Sequence, residues 1–461
     1  MSATVELFAR EPRARWFFGA LLQSELGTGA AYVALLLIAY DRWHSPWAIT
    51  LVLLAELLPA MLLGPVFGAA ADRWSRKWCV VTADLLRFVA FVGIAMADSF
   101  GLTLALALLA GCGTGLFTPA SLASLPGLVE SRRLPGATSV YAAVGDLGFT
   151  VGPAVAALVL LFGTPEQLIG MNGLTFAISA LVLGRLAFGQ APSAVEASRP
   201  SLFREAVQGM AATAGIGGVR ALLGVSAGAL FFAGMFNVAE LPFAEDILHS
   251  GEVGYSVLAA AFGIGFVTGS LTGTRGGAPA LLKVRYRLGL LILATGFIAT
   301  GLAPVYVAAL GAFVFGGIGN GMLIVYERQL IQATVPDRLA GRIFGVKDAL
   351  SAWAFGLAFV CAGALITLIG VRELLVVAGI GGLAAWLVSL RALGGAFNAQ
   401  EPALAGAPTS GASAETLRDA GAGEERPDLV GGARSDGHSG LDDLGERLDD
   451  RGVELRPGSS P

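Results

Sequence analysis

Charge is what this 461-residue chain lacks: only 14% of its residues are Asp, Glu, Lys or Arg, against roughly a quarter in an average soluble domain. Lys77, Lys283 and Lys347 are its whole supply of lysine. So little charge cannot cover a soluble surface, which excludes a soluble globular enzyme. Histidine is as scarce, with His44, His249 and His438 far apart, and the scattered hydroxyls complete no hydrolytic triad. The three cysteines, Cys79, Cys112 and Cys361, sit in apolar runs without a CxxC pair. That excludes a disulfide framework and a zinc site. No Gly-Lys dipeptide occurs anywhere, so no GxxxxGK[ST] loop can cradle ATP phosphates. Nucleic-acid binding has no support, because no basic and aromatic patch exists outside short loops. No cofactor is expected.

What the chain has instead is apolar residues, 55% of the total, a mean hydropathy of +0.71 and 64 glycines. The glycines follow no Gly-X-Y period, so they exclude collagen and suit close helix packing in lipid. The chain reads as an all-α polytopic membrane protein. A bilayer core takes about 20 apolar residues per helix. Segmenting on Gly, Pro and charge predicts twelve spans, near 16–40, 47–70, 78–97, 100–123, 137–162, 166–188, 219–246, 253–274, 286–302, 305–329, 344–369 and 372–392. Glu6, Arg10, Arg13 and Arg15 precede the first run with no small-residue cleavage site, so that run is read as a span and not a signal peptide. With the N-terminus inside, nineteen Lys and Arg fall on inner loops and only Arg42 and Arg372 on outer ones. By the positive-inside rule both termini are cytoplasmic, in an inner or plasma membrane.

Four regions follow: a six-helix bundle over 1–188, a cytoplasmic linker over 189–218, a second six-helix bundle over 219–393 and an acidic tail over 394–461. In the linker, Leu202, Phe203, Ala206, Val207 and Met210 share one helical face, which predicts a short helix lying at the inner interface. The tail holds thirteen acidic and six basic residues, net −7, leaving the body at about +3. Its Ala, Gly, Pro, Asp, Glu and Ser content predicts disorder. The halves echo one another: Gly64 and Gly68 are matched by Gly269 and Gly273, and Pro126 by Pro336. Repeated six-helix units are common in secondary transporters, with the substrate site at the interface between repeats.

The strongest local motif is Gly64-Pro-Val-Phe-Gly68-Ala-Ala-Ala-Asp72-Arg73-Trp-Ser-Arg76-Lys77, crossing the loop between the second and third spans. Small residues there allow close helix contact, and Asp72 and Arg73 sit where lipid meets water. Together with the twelve spans, this stretch resembles the loop signature of the major facilitator superfamily, departing only at Ser75, where that family often has glycine. The resemblance implies that Gly68, Asp72, Arg73, Arg76 and Lys77 form an inner gate. In the fifth span, Gly145-Asp146-Leu-Gly148-Phe-Thr-Val-Gly152-Pro153 resembles the antiporter motif of the same superfamily, carried by Gly148, Gly152 and Pro153. Leu125-Pro126-Gly-Leu-Val-Glu130, Val335-Pro336-Asp337-Arg338-Leu-Ala-Gly341-Arg342 and Asp84-Leu-Leu-Arg87 resemble the drug:proton antiporter branch that holds macrolide-efflux and enterobactin exporters. Asp84 and Arg87 are counted with the gate group, although their three-residue spacing also suits a local ion pair. Many members of the branch carry Gly-Asp in the first helix, where this chain has Gly27-Thr28.

A charge inside the bilayer costs about 2.5–3.5 kcal/mol on insertion scales, so each one asks for a reason. Glu25, Glu56, Asp146 and Glu240 are read as the deep acids, with Glu25 and Asp146 first as coupling groups. Glu327, Arg328 and Asp348 lie nearer the inner ends of their spans and are read as structural. Asn237 and Asn320 are substrate candidates, with Gln23, Tyr32, Phe117, Asn172, Phe236 and Tyr326 as further groups that could shape a cavity. No residue set points to a metal. The expected function is proton-coupled efflux of lipophilic drugs or natural products by alternating access. The partners are a small lipophilic substrate, protons and membrane lipids, and the protein is expected to be a monomer. The alternatives are uptake of a small metabolite by the same fold, or a non-transporting membrane sensor or scaffold.

Overall fold

Proline, serine and threonine place most helix starts. Pro12, Pro46, Pro165 and Pro279 each open a helix, where a missing N–H costs nothing. Ser45, Ser99 and Thr164 accept backbone N–H groups as N-caps, and Thr164 with Gln167 closes a reciprocal capping box. The computed structural model describes residues 8, 10–188 and 215–397. Among them stand twelve long helices and no strand: α1 (Pro12–Trp43), α2 (Pro46–Arg73), α3 (Arg76–Met96), α4 (Phe100–Ser124), α5 (Leu134–Leu160), α6 (Pro165–Arg185), α7 (Gly217–Pro242), α8 (Gly251–Leu271), α9 (Pro279–Leu302), α10 (Tyr306–Thr334), α11 (Asp337–Ile369) and α12 (Val371–Ala392). The stretches expected to hold the interfacial helix and the acidic tail beyond Phe397 lie outside the described residues.

Eleven of these helices are long and apolar enough to cross a membrane. The exception is α9, which has spanning length but carries Lys283, Arg285 and Arg287 in its first half. Hydropathy placed its start near 286, and that of α11 near 344; both helices begin seven residues earlier. Apolar runs report only the hydrocarbon layer, whereas these helices continue into a charged boundary with bonding partners of its own. The Lys283 ammonium donates to the carbonyls of Gly394 (3.2 Å) and Ala396 (2.8 Å), and Arg287 donates to that of Ser389 (2.7 Å). Cations there satisfy carbonyls in the last turn of α12 and in the chain just beyond it.

The helix pairing repeats. α1 packs on α5 and α6, α2 on α4, and α3 on α4 and α6; likewise α7 packs on α11 and α12, α8 on α10, and α9 on α10 and α12. Across the halves the main contacts are α5 with α8 and α2 with α11. The glycine echo does not extend to environment. Gly269 and Gly273 press on α10, whereas Gly64 and Gly68 have open space where a Cβ would stand. The same interval along two helices has landed on different faces relative to their neighbours.

Glycine decides one crossing above all. A Cβ on Gly148 of α5 would stand 2.6 Å from the carbonyl oxygen of Glu25, and one on Gly152 would stand 2.5 Å from the Cα of Gly29. Backbone thus meets backbone between α1 and α5, a contact no larger residue permits. The halves also meet closely, midway along α5 and α8 and near one end of α2 and α11. A Cβ on Gly263 of α8 would lie 2.5 Å from the Thr150 carbonyl, one on Gly363 of α11 would lie 2.6 Å from Thr50 Oγ1, and that hydroxyl donates to the Phe359 carbonyl (3.3 Å). Tyr40, near the end of α1, donates to Asp246 just beyond α7. At the opposite end, which carries Arg73, Arg76, Lys77 and Arg342, the glycines of α2 (Gly64, Gly68) and α11 (Gly341, Gly345) face open space. The α2–α11 pair therefore closes at one end and parts at the basic end.

Because the α1–α5 crossing has no room, Gly152→Val is expected to abolish accumulation of monodisperse protein. Gly145→Val, on the same helix with nothing within 4 Å of its Cβ position, is expected to leave it intact. Size-exclusion chromatography of the two variants in detergent checks this pair.

Candidate functional site

The crossing of α1 with α5 also builds one wall of a narrow central cavity. Gly29, Tyr32 and Val33 of α1 line it with Phe149 and Pro153 of α5; α7 and α8 complete it from the other half. Their contribution is Phe236, Asn237 and Glu240, then Ala259, Phe262 and Gly263. The cavity thus draws on both halves, with aromatic walls and one carboxylate.

Glu240 is 8% exposed and lies two residues before Pro242, where the α-helix gives way to a π-turn over Phe243–Ile247. Such turns re-aim side chains and are frequent at functional sites. The fully buried Tyr255 hydroxyl donates to Glu240 Oε1 at 2.9 Å. Tyr32 lies within electrostatic reach of both Glu240 and Glu56. Phe236 is fixed by stacking on Phe297, with ring centroids 4.2 Å apart, and by contact with Phe262 and Phe313. A rigid aromatic wall beside a single hydrogen-bonded acid can hold an apolar body with one polar or cationic end.

A second cluster lies inside the first half. Asp84 and Arg87 of α3 form an ion pair with side chains 0% and 3% exposed. The guanidinium is sandwiched between Phe117 of α4 and Phe176 of α6, 4.1 and 4.2 Å from the ring centroids. Glu25 of α1 lies within electrostatic reach of both charges, and Tyr141 of α5, bonded to Ser121 (2.8 Å), within reach of Glu25 and Arg87. Asp84 Oδ2, Arg87 Nε and Asn172 Nδ2 are buried without a hydrogen-bond partner. Each such group costs about 1–3 kcal/mol when left unpaired. Asp84 and Arg87, grouped with the gate from the sequence, thus lie in the bundle interior, about two and three turns into α3.

The loop residues themselves stand at the basic end: Asp72 and Arg73 exposed at the close of α2, Arg76 and Lys77 opening α3. Nearby, the carboxyl of Glu130 is held below its ordinary range, first by the hydrogen bond from Arg132 and then by the fields of Arg133 and Arg10.

The other expected residues divide. Asn237, Tyr32 and Phe236 line the central cavity, as do Glu240 and Pro153. Asn320 does not: it is half-buried on α10 between Gly319, which presses on α9, and Gly321, which presses on α8. Glu56 is half-buried on α2, its backbone against Gly111 of α4. Asp146, expected deep, is exposed and within electrostatic reach of Arg328, because its side of α5 faces away from the packed crossing. Glu327, expected to be an end group, is 3% exposed. Gln23 and Tyr326 serve packing, donating to the carbonyls of Thr175 and Thr272. In place of the Gly-Asp acid, Thr28 donates back to the Ser24 carbonyl (2.8 Å). Sequence reasoning missed Tyr255; its one signal is rarity, as one of seven tyrosines whose hydroxyl must find a partner once buried.

A sequence profile of the Major Facilitator Superfamily matches residues 17–347. The chain belongs to the major facilitator superfamily. As a member it is a multi-pass membrane transporter and not an enzyme. Over 345 residues it is 24% identical to a Bacillus subtilis protein named "Putative bacilysin exporter BacE", covering 74% of this chain and 85% of that one. It is 22% identical over 363 residues to macrolide efflux protein A of Streptococcus pyogenes, covering 75% and 87%. Among solved structures it resembles a bacterial homologue of the human lysosomal transporter Spinster, in an inward-facing, unoccupied conformation. That match has a TM-score of 0.65 and 15% identity, and covers 83% of this chain and 97% of that one.

In this superfamily member, Tyr255→Phe keeps the ring and removes the hydrogen bond to Glu240 Oε1, leaving that buried carboxyl oxygen unpaired among the described residues. A stability loss of about 1–3 kcal/mol is expected, read as a lower unfolding midpoint in detergent.

Proposed function

We propose that this transporter exports lipophilic compounds from the cytoplasm in exchange for protons, by rocking its two six-helix halves about the central cavity. The observation that carries the reading is the cavity itself, lined from both halves, aromatic, and furnished with one buried acid. The names of the macrolide-efflux and bacilysin-exporter relatives support the direction and the chemistry of the cargo. The basic end is the cytoplasmic one by the positive-inside rule, which makes the present arrangement inward-open, with both termini cytoplasmic, in the plasma membrane. The protein works as a monomer, since the cavity is complete within one chain.

In the proposed cycle, substrate enters from the basic end and settles against Phe236 and Asn237 beside Glu240. Closure then brings the open glycine faces of α2 and α11 together, and Gly68, Asp72, Arg73, Arg76 and Lys77 lock that end. At the opposite end the Tyr40–Asp246 bond and the Thr50–Gly363 contact release. Protons return through the buried acids, Glu25 foremost, with Glu240 at the cavity. Asp146, exposed beside Arg328, acts at the mouth.

Efflux of a panel of dyes and macrolides from cells tests the reading, with and without an uncoupler. Native protein is expected to lower accumulation, and both Asp72→Asn and the uncoupler to abolish the effect. Gly68→Val separates gating from folding, because nothing lies within 4 Å of its Cβ position in the open state. It is expected to elute normally from size exclusion while losing at least about tenfold in efflux. Accumulation of any panel compound above control cells would reverse the direction and establish uptake.

A further inference from the structure

We propose that the groove between α2 and α11 binds an anionic phospholipid of the inner leaflet, whose acyl chain wedges the two halves apart. The groove has a volume of about 490 Å³. Leu54 and Met61 of α2 line it with Leu350, Trp353, Leu357 and Val360 of α11. It is distinct from the central cavity, none of whose lining residues lies on either helix. Its size falls within the roughly 300–1,000 Å³ of sites that enclose a small ligand. A gap this apolar between two helices forfeits packing contacts on both walls, and a hydrocarbon chain restores them.

The direction in which the groove opens follows from its helical row. Leu350, Trp353, Leu357 and Val360 recur at three- and four-residue spacing on one exposed face of α11, and Leu368 carries that face to the outer end. There Thr50 and Gly363 close the halves on each other, so a face exposed at that end looks out on lipid. In the other direction the row reaches the exposed Arg342, eight residues and about 12 Å before Leu350. On α2 the exposed row of Leu62 and Val66 ends likewise at Arg73. Among the described side chains at this rim, Arg73, Arg76, Lys77 and Arg342 outnumber Asp72. Guanidinium groups pair with phosphate through paired N–H···O bonds. A phosphate at Arg342 sends its acyl chain along the row into the groove. Inorganic phosphate would leave the groove empty, and an uncharged lipophile would leave the cations unused; a phospholipid serves both.

The groove also sits where the seam changes character. A Cβ on Gly356 would stand 3.6 Å from Met61 Sδ and 3.8 Å from Leu54 Cδ1, ordinary contact that makes Gly356 the floor. Beyond it the same face of α2 continues to Gly64 and Gly68, and that of α11 to Gly345, all with nothing within 4 Å. Closing the basic end brings those glycines together and narrows the groove. A chain lodged between Met61 and Trp353 opposes that closure and must leave before it. The wedge rests on the rocking cycle proposed above, whereas the site itself does not.

Photolabelling of the full chain in lipid nanodiscs tests the site. The probe is phosphatidylglycerol with a diazirine in its acyl chain, sparse in a phosphatidylcholine bilayer, and mass spectrometry maps the labelled peptides. Label is expected on the α2 and α11 peptides that carry Met61 and Trp353. Unlabelled phosphatidylglycerol is expected to compete it away where added phosphatidylcholine does not. Arg342→Gln is expected to lower that label about fivefold, the worth of one cation beside an anionic headgroup. Ala354→Phe fills the groove from its open side and is expected to abolish the label there. Label on the exposed Leu281, Val284 and Leu288 face of α9 is expected to stay unchanged in both variants, which controls for folding. Label spread evenly over all outward faces, or competed equally by both lipids, would mean boundary lipid only and overturn the site. Hydrogen exchange reads the wedge. The inner ends of α2 and α11 are expected to exchange faster in phosphatidylglycerol than in phosphatidylcholine nanodiscs, and Arg342→Gln to remove the difference. Equal exchange of the native protein in both lipids would overturn the wedge. Labelling as expected from a protein that effluxes no panel compound leaves the lipid site standing and the export reading overturned.

Discussion

The contact of α1 on α5 through Gly29, Gly148 and Gly152 is the constraint on which the rest of this structure depends. In lipid there is no hydrophobic drive between helices, so association must come from close packing of backbones and side chains. Where Gly29 and Gly152 meet, the two helices approach until main chain touches main chain. Everything functional on α1 is then fixed by that crossing. Glu25 is set one turn before it, against Gly148, and Tyr32 almost one turn after it, at the central cavity. Gly29 and Pro153 themselves form cavity wall. One crossing therefore joins the charge cluster of the first half to the chamber between the halves.

Some of the few charges inside the spans have a local answer. Asp84 and Arg87 answer each other and borrow two aromatic faces, and Glu240 takes a tyrosine hydroxyl. Glu327, by contrast, keeps Oε1 buried without a hydrogen-bond partner among the described residues. Against an insertion cost of about 2.5–3.5 kcal/mol for each ion, a neutral hydrogen-bonding partner recovers only part. The aromatic partners matter here because a ring face offers a cation attraction without adding a competing negative charge.

Much of the architecture was legible in the sequence because membrane folding writes its constraints along the chain. Twelve apolar runs and the asymmetry of Arg and Lys are properties of single segments, and so is the small-residue spacing of Gly148 and Gly152. What was not legible is what depends on rotation about a helix axis or on a partner in another helix. Asp146 and Gly148 are two residues apart, yet one is exposed and the other buried in the crossing. Glu327 reads as an end group by depth alone, but its face of α10 is turned inward. Tyr255 is fifteen residues and one helix away from Glu240, a spacing that no helical period connects. The early start of α9 escaped hydropathy because its first turns answer to the carbonyls that follow α12 and not to lipid.

The contrast between packing within and between the halves bears on how such a molecule could move. Inside each half, four helices pack on two others each, and glycine lets many of these approaches close to backbone distance, as at Gly111 on Glu56 or Gly319 on Leu293. Between the halves the main contacts are α5 with α8 and α2 with α11. On α2 and α11 the glycines divide by depth: Gly356 and Gly363 are in contact with the other half, while Gly64, Gly68, Gly341 and Gly345 meet nothing. An open glycine face is costly to keep in a helix, since glycine lowers helix stability by roughly 1 kcal/mol relative to alanine. A surface of that kind gains its compensation only when another backbone comes to rest on it. The unoccupied glycines at the basic end are therefore the physical counterpart of the occupied ones at the other, and a rocking motion that exchanges the two sets leaves the packing within each half unchanged.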